Sequence, residues 1–165
     1  MDIVQARSDI ISWITEFVEQ PHPALAGWPP CPFARRARLD GEFDIRAGQI
    51  DPYTDLMKVD MDRWQVIAYV YDPQQIDANR FEQQIAAVNQ GFLIHRDIIA
   101  LADHPDAPEQ VQGVRMNQGT WAIAFVQPLA KLNTFARQIA ARGYYAGWPE
   151  DYLEGLFQWR EDPRS

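Results

Sequence analysis

The sequence predicts an α+β domain with a small sheet of three to four strands and helices packed mainly on one face of that sheet. Residues 64–71 and residues 120–127 are the clearest strands, because β-branched and aromatic side chains dominate both runs. Each run is followed by a segment in which apolar residues recur at helical spacing, at residues 76–90 and residues 129–142. The other segments do not alternate strictly between strand and helix, which favours α+β over a doubly wound parallel sheet.

The chain is expected to begin with a helix. Apolar residues at helical spacing predict this helix over residues 8–20, with Ser8 or Asp9 as its N-cap. Pro21 ends the helix, because proline has no backbone N–H and disfavours helical geometry in the residue before it.

A stiff, proline-rich connection follows over residues 21–32. The next segment, residues 32–39, is predicted to be a short helix with Cys31 at its N-cap, since proline suits the first helical position. Alternating apolar residues predict a strand over residues 43–50, and residues 51–62 are expected to form a turn-rich acidic segment.

The second half of the chain mixes clear and ambiguous segments. The helix over residues 76–90 is expected to be capped by Asp77 and stopped by Gly91. Residues 92–102 fit either a strand or a helical turn, and residues 103–119 are predicted to be a long polar loop. A final helix carries the aromatic residues of the C-terminus.

Composition limits the classes of function. The 165 residues fit a single domain, residues 1–165, and a net charge of −8 gives no general attraction to nucleic acid or to an anionic membrane. The single cysteine, Cys31, excludes an internal disulfide and a multi-cysteine zinc site. The N-terminus lacks the apolar core of a signal peptide, and no apolar run approaches the ~20 residues of a membrane span. We therefore expect a soluble, cytoplasmic protein that binds neither nucleic acid nor membrane.

The segment at residues 30–36 carries the strongest candidate chemistry. A cysteine at a helix N-terminus faces free backbone N–H groups and the positive end of the helix dipole, and both favour thiolate over thiol. Arg35 and Arg36 follow closely and add positive charge. Cys31 is therefore a candidate nucleophile, with Arg35 and Arg36 as candidate substrate-binding residues. The structural alternative is a small buried cysteine that fixes a turn while Pro32 starts the helix.

Two resemblances rest on this segment. The sequence Cys-Pro-Phe-Ala at residues 31–34, followed by basic residues and a leucine, resembles the start of omega-class glutathione transferases and their chloride-channel relatives. The matching cysteine there forms a mixed disulfide with glutathione, which implies a nucleophilic role for Cys31. Their thioredoxin fold is not expected here, because Gly-Trp-Pro-Pro at residues 27–30 leads into the cysteine in place of a strand. The chain is also similar, in length and motif position, to small bacterial domains of unknown function with an N-terminal Cys-Pro-Phe.

Two further clusters offer polar side chains. His95 and His104 are candidate proton-transfer residues, and with neighbouring carboxylates they also fit an open iron or zinc site if the loop folds back. Arg115 and Asn117, just before the second clear strand, have donors that suit a carboxylate or phosphate group of a substrate. For the histidine cluster, the structural alternative is a histidine that belongs to a turn. For Arg115 and Asn117, the alternative is a hairpin whose glycines supply positive φ. A histidine and a carboxylate are often close by chance, so no metal ion is assigned.

These patterns predict a small-molecule-binding protein with a pocket beside Cys31, and they leave open whether it is an enzyme. One alternative is a non-catalytic interaction module or homodimer that uses the aromatic residues between 144 and 159. A second alternative is a haem protein with Cys31 as the axial thiolate ligand, because the proline that follows turns the chain away from the metal.

Overall fold

A four-stranded mixed sheet forms the centre of the molecule. The computed structural model describes residues 1–165, with six α-helices, this sheet and a two-stranded ribbon. The helices are α1 (Ile3–Trp13), α2 (Ala34–Leu39), α3 (Pro52–Met57), α4 (Ala78–Val88), α5 (Leu129–Ala140) and α6 (Glu150–Leu156). The strands are β1 (Phe43–Ala47), β2 (Val66–Tyr71), β3 (Ile98–Asp103), β4 (Gln110–Val111), β5 (Val114–Arg115) and β6 (Ala122–Pro128).

The strand order in the central sheet is β1-β2-β6-β3. β1 and β2 are parallel, whereas β6 runs antiparallel to both of its neighbours, β2 and β3. β2 and β3 therefore run parallel to each other, and α4 connects them along the chain. Because β6 lies between them in the sheet, the arrangement is a split βαβ unit. The predicted α+β class is confirmed, and the sheet has four strands, within the predicted range of three to four. β4 and β5 form the separate ribbon, inside the segment predicted to be a long loop.

Helices cover both faces of the sheet. α3 and α4 contribute to one core cluster with Ile67 and Ala124, and α1 contributes to a second cluster with Ala68 and Ile123. Successive residues of a strand point to opposite faces, so neighbours such as Ile67 and Ala68 belong to different clusters. Because the two central strands are apolar on both faces, both faces need helical cover. The helices are thus divided between the two faces, where the sequence led us to expect most of them on one.

The first helix begins earlier than the apolar spacing predicts. Asp2 is its N-cap, and the Asp2 carboxylate accepts hydrogen bonds from the backbone N–H groups of Val4 and Gln5 at 2.9 and 3.2 Å. The predicted cap Asp9 lies inside the helix, where its carboxylate accepts a hydrogen bond from the Trp121 indole at 2.9 Å. The helix continues beyond Trp13 as a π-helical turn, Ile14–Val18.

Three other boundaries differ from the predictions. α2 begins at Ala34 with Phe33 at the capping position, so Cys31 lies in the turn before the helix and does not cap it. The acidic segment contains α3, whose N-cap Asp51 accepts a hydrogen bond from the N–H of Thr54 at 2.8 Å. Gly91 does not stop the second long helix, because a π-helical turn, Asn89–Leu93, carries the chain through it. The predicted cap of that helix, Asp77, is confirmed.

Side chains occupy both edges of the sheet. At the β3 edge, the Asn89 side chain accepts a hydrogen bond from the N–H of Ala100 and donates one to its carbonyl, both at 2.8 Å. At the β1 edge, the Arg7 guanidinium donates to the carbonyl of Ile45. Open strand edges invite pairing with other chains, and these two side chains take up backbone groups that such pairing would use.

The C-terminal aromatic residues form a third cluster beside α5. Tyr144, Tyr145 and Phe157 are each 7% exposed or less. Trp28 from the proline-rich connection packs against them, with its ring centroid 5.5 Å from that of Tyr144. The aromatic stretch is therefore largely interior, and it ties residues 21–32 to the C-terminus. None of the helices combines the length and the apolar character that crossing a membrane requires.

Candidate functional site

A cleft of about 480 Å³ lies next to the Cys-Pro-Phe-Ala segment, on the α1 side of the sheet. We call it the helix cleft, because the end of α1, the helix α2 and the start of α5 surround it. Its floor is made by sheet residues, and its walls carry aromatic rings; the residues most important here are Val66, Leu101, Phe125, Trp13, Phe33 and Phe135. Sites for small ligands are typically apolar cavities of about 300–1,000 Å³, and this cleft lies within that range.

Two aromatic pairs give the helix cleft its shape. Trp13 and Phe125 stack with ring centroids 6.1 Å apart, and Phe33 and Phe135 stack at 4.2 Å. The first pair joins α1 to β6, and the second joins the turn before α2 to α5. Each pair therefore brings together two segments that are distant in sequence, so the walls of the cleft exist only in the folded chain.

Two of the three cations that line the cleft are paired with carboxylates, whereas Glu42, also in the lining, forms no ion pair. Arg38 donates two hydrogen bonds to the Glu19 carboxylate at 2.6 and 2.9 Å, and the Glu19 side chain is only 3% exposed. Arg36 pairs with Asp40 at 3.3 Å, four residues along α2 and largely in solvent. Lys131, on the first turn of α5, lines the cleft and forms no ion pair. It is the one cation of the cleft lining that has no protein carboxylate as its partner.

Cys31 lines the cleft, but its surroundings keep the thiol protonated. Burial raises the pKa of Cys31, and this outweighs the N–H groups of Phe33 and Ala34 and the charge of Arg160, which lower the pKa. A thiol with a pKa above its ordinary value of about 8.5 is neutral at pH 7. Cys31 lies before the capping position of α2, whereas the sequence predicted it at the cap itself.

Arg160 is the cation that acts on Cys31, and sequence reasoning missed it. It lies in the C-terminal segment, where its guanidinium carbon is 5.1 Å from the centroid of the Phe157 ring. Its Nε atom is buried without a hydrogen-bond partner, and burial lowers the pKa of the guanidinium. The predicted neighbours Arg35 and Arg36 are exposed on α2, and only Arg36 lines the cleft. No local sequence pattern predicts that Cys31 lies close to Arg160, because the two residues are near opposite ends of the chain.

His104 is placed as a structural residue, away from the helix cleft. It is 1% exposed, and its Nδ1 atom accepts a hydrogen bond from the N–H of Asp106 at 3.1 Å. The hydrogen of the ring is therefore on Nε2, which donates to the carbonyl of Ile76 at 2.9 Å. Both ring nitrogens are occupied, so His104 has no free nitrogen for proton transfer.

Asn117 and Arg115 organise the segment at residues 103–119. The Asn117 amide, 7% exposed, donates to the Asp103 carboxylate at 3.1 Å, and Arg115 donates to the carbonyl of Pro105 at 3.1 Å. The N–H of Gln118 completes the pattern with a 3.0 Å bond to Asp103. These bonds hold the segment to the end of β3, and neither Arg115 nor Asn117 lines the helix cleft.

The predicted site is therefore divided by the fold. Cys31 and Arg36 line the helix cleft, whereas Arg35, His95, His104, Arg115 and Asn117 do not. His95 is exposed in the 3-10 turn before β3. No three histidine, cysteine or acidic side chains come close enough together to hold a metal ion. Because no histidine lines the cleft, a haem bound at Cys31 would find no imidazole there for its opposite face.

Comparisons with models of known protein families, with curated proteins and with solved structures give no match to this chain.

Proposed function

We propose that this protein binds an apolar small molecule in the helix cleft, with Cys31 as a contact residue. The observation that carries the proposal is an apolar cleft of about 480 Å³ that opens between three helices above the sheet. Burial of an apolar ligand in such a cleft is favourable by roughly 25 cal/mol for each Å² of apolar surface removed from water.

The walls of the cleft suggest the chemistry of the ligand. The Trp13–Phe125 and Phe33–Phe135 pairs offer ring faces and edges, which suit a flat ring or a hydrocarbon chain. Lys131 stands at the cleft without a protein carboxylate, so an acidic group on the ligand would find a partner there. An apolar carboxylic or sulfonic acid matches both features.

Binding is the activity that this geometry supports best. Nucleophilic catalysis by Cys31 needs a thiolate, and burial raises the pKa of this thiol. The candidate proton-transfer residues His95 and His104 do not line the cleft. A ligand in contact with Cys31 would shield the thiol from solvent, so occupancy should slow modification of Cys31 by small thiol reagents.

The test uses 1-anilinonaphthalene-8-sulfonate, an apolar anion that fluoresces when it leaves water. The protein should give a saturable rise in fluorescence, and Ala34→Phe should abolish it by filling the cleft, which Ala34 lines. Ala130→Phe is the matched control, because Ala130 is exposed on α5 outside the cleft. Lys131→Gln should weaken binding by about threefold, the effect of one exposed charge pair.

Two outcomes would contradict the proposal. If Ala34→Phe binds the dye as tightly as the unchanged protein, the dye occupies another site. If both phenylalanine variants lose binding equally, the loss reflects a general effect of the added ring. Thermal unfolding of each variant, followed by circular dichroism, shows whether the fold is kept.

A further inference from the structure

A second, larger groove follows the outer edge of β3. We call it the edge groove; it has a volume of about 710 Å³ and lies between α4, the loop before β4 and α6. Three side chains line both this groove and the helix cleft and form the wall between them: Trp13, Leu101 and Phe125. Apolar and aromatic side chains, among them Tyr152 and Trp159, make up much of its surface.

All the charged side chains that line the edge groove are acidic. They come from separate elements: Glu82 from α4, Asp103 from β3, Glu109 from the loop before β4, and Asp151 from α6. Asp103 is engaged by its own loop through Asn117 and Gln118, whereas Glu82, Glu109 and Asp151 are exposed. The positive charge of Arg115 acts on Asp103, but Glu82, Glu109 and Asp151 form no ion pair. The groove therefore presents three unpaired carboxylates along an apolar surface.

The carboxylates of the groove influence one another. Glu109 is exposed as a residue, but partial desolvation of its carboxyl group within the groove raises the pKa of that group. A hydrogen bond from the Tyr152 hydroxyl at 3.1 Å lowers this pKa, whereas the negative charges of Asp103 and Glu82 raise it. A positive group in the groove would relieve this repulsion. The aromatic rings would add cation–π attraction to any ammonium group that lies against them.

The geometry argues against two other kinds of occupant. A single metal ion needs several oxygen ligands within about 2–2.6 Å, and no three acidic, cysteine or histidine side chains come together in that way. An added peptide strand would pair with the outward-facing backbone of β3, but Asn89 already takes both the N–H and the carbonyl of Ala100. An organic cation that reaches several carboxylates at once meets neither objection.

We propose that the edge groove binds an elongated organic polycation, whose ammonium groups meet Glu82, Glu109 and Asp151 while its methylene chain lies on the apolar wall. This site is separate from the helix cleft and does not depend on the function proposed there. The ligand proposed for the edge groove is cationic, whereas the ligand proposed for the helix cleft is an acid. The two binding proposals therefore succeed or fail independently.

The experiment is calorimetric titration of the full chain with spermidine, a triamine, at low and moderate ionic strength. We expect saturable binding that weakens as salt rises, because exposed charges are screened. The double variant Glu82→Gln/Asp151→Asn should weaken binding by about tenfold, since two exposed charge pairs are lost. Glu154→Gln is the matched control: Glu154 is an exposed acidic residue on α6 that does not line the groove.

Three results would overturn the proposal. The first is the absence of saturable binding at low ionic strength. The second is an equal loss of affinity in Glu154→Gln, which would show a general response to net charge. The third is displacement of spermidine by an equal concentration of MgCl₂, which would show that any compact cation serves. Glu82 and Asp151 are exposed, so both variants should fold, and unfolding curves check this.

Discussion

Replacement of Asn89 by alanine should destabilise the protein strongly, although the residue lies at the edge of the sheet. The Asn89 side chain is 2% exposed, and its amide completes the hydrogen bonding of Ala100 through bonds of 2.8 Å to the N–H and the carbonyl. Ala100 itself is 2% exposed, so water has little access to the backbone groups that Asn89→Ala would leave free.

The size of the effect follows from those two groups. A buried backbone donor or acceptor without a partner costs about 1–3 kcal/mol. Two such groups imply a loss of about 2–6 kcal/mol in the free energy of unfolding, and the missing side-chain volume adds to it. For a chain of this size each kcal/mol lowers the melting temperature by about 2–4 °C, so the variant should melt roughly 4–24 °C lower.

Urea unfolding followed by circular dichroism measures the effect, and Asn79→Ala is the control. Asn79 is an exposed asparagine on the first turn of α4, the helix that ends just before Asn89, so its loss should change stability by less than about 0.5 kcal/mol. A loss below about 1 kcal/mol in Asn89→Ala would refute the reasoning, because two orphaned buried groups cannot cost so little.

Asn89→Asp separates the hydrogen-bonding explanation from a simple loss of volume. An ionised carboxylate at this position keeps the shape and accepts from the N–H of Ala100, but it repels the carbonyl and is buried. A protonated carboxyl donates to that carbonyl. In the Asn89→Asp variant, the pKa of the new carboxyl group is therefore higher in the folded state than its unfolded value of about 3.9. The resulting loss in the free energy of unfolding is absent below about pH 4 and grows as pH rises. An equal deficit at pH 4 and pH 7, relative to the unchanged protein, would contradict this explanation.

Three further predictions test the environments of Cys31, Gly48 and Tyr144. The rate at which iodoacetamide alkylates Cys31 should still be rising between pH 8 and pH 9, because burial raises the pKa of the thiol; a plateau below pH 8 would contradict this. Gly48→Ala should destabilise the protein by about 1–3 kcal/mol in urea unfolding, since an added Cβ would lie 2.0 Å from the Tyr71 ring, whereas Gly155→Ala, with open space around it, should be neutral or stabilising. Tyr144→Phe removes the hydroxyl that donates to the carbonyl of residue 30 and should cost about 1 kcal/mol in the same assay, so an unchanged unfolding midpoint would show that this bond adds no stability.

The regular elements with strong local patterns could be predicted from the sequence. The runs of apolar and β-branched residues in β2 and β6 identify them as strands, and the spacing in α4 and α5 identifies them as helices. α3 was missed because it has only six residues and its sequence resembles an acidic turn. The start of α1 was missed because its cap, Asp2, lies ahead of the regular apolar spacing.

The candidate site was only partly predictable. The sequence predicts a ligand pocket beside Cys31, and this stays a prediction; the structure places Cys31 and Arg36 in the lining of the helix cleft. It could not supply Lys131, which comes from a distant helix, or Arg160, which lies beside Cys31 near the other end of the chain. The local sequence also could not predict the structural role of His104, because its ring donates a hydrogen bond to the carbonyl of Ile76, which lies on a distant segment.

The sequence by itself determined where the main strands and helices form, since each depends on periodicity and capping among near neighbours. It also determined the charge, the single cysteine and the stiffness of residues 21–32. Only the tertiary structure decided which helices cover which face, which polar side chains complete the sheet edges, and which charges surround Cys31. Those outcomes depend on packing between segments distant in the chain, and the free energy of such contacts has no signature in any local stretch of sequence.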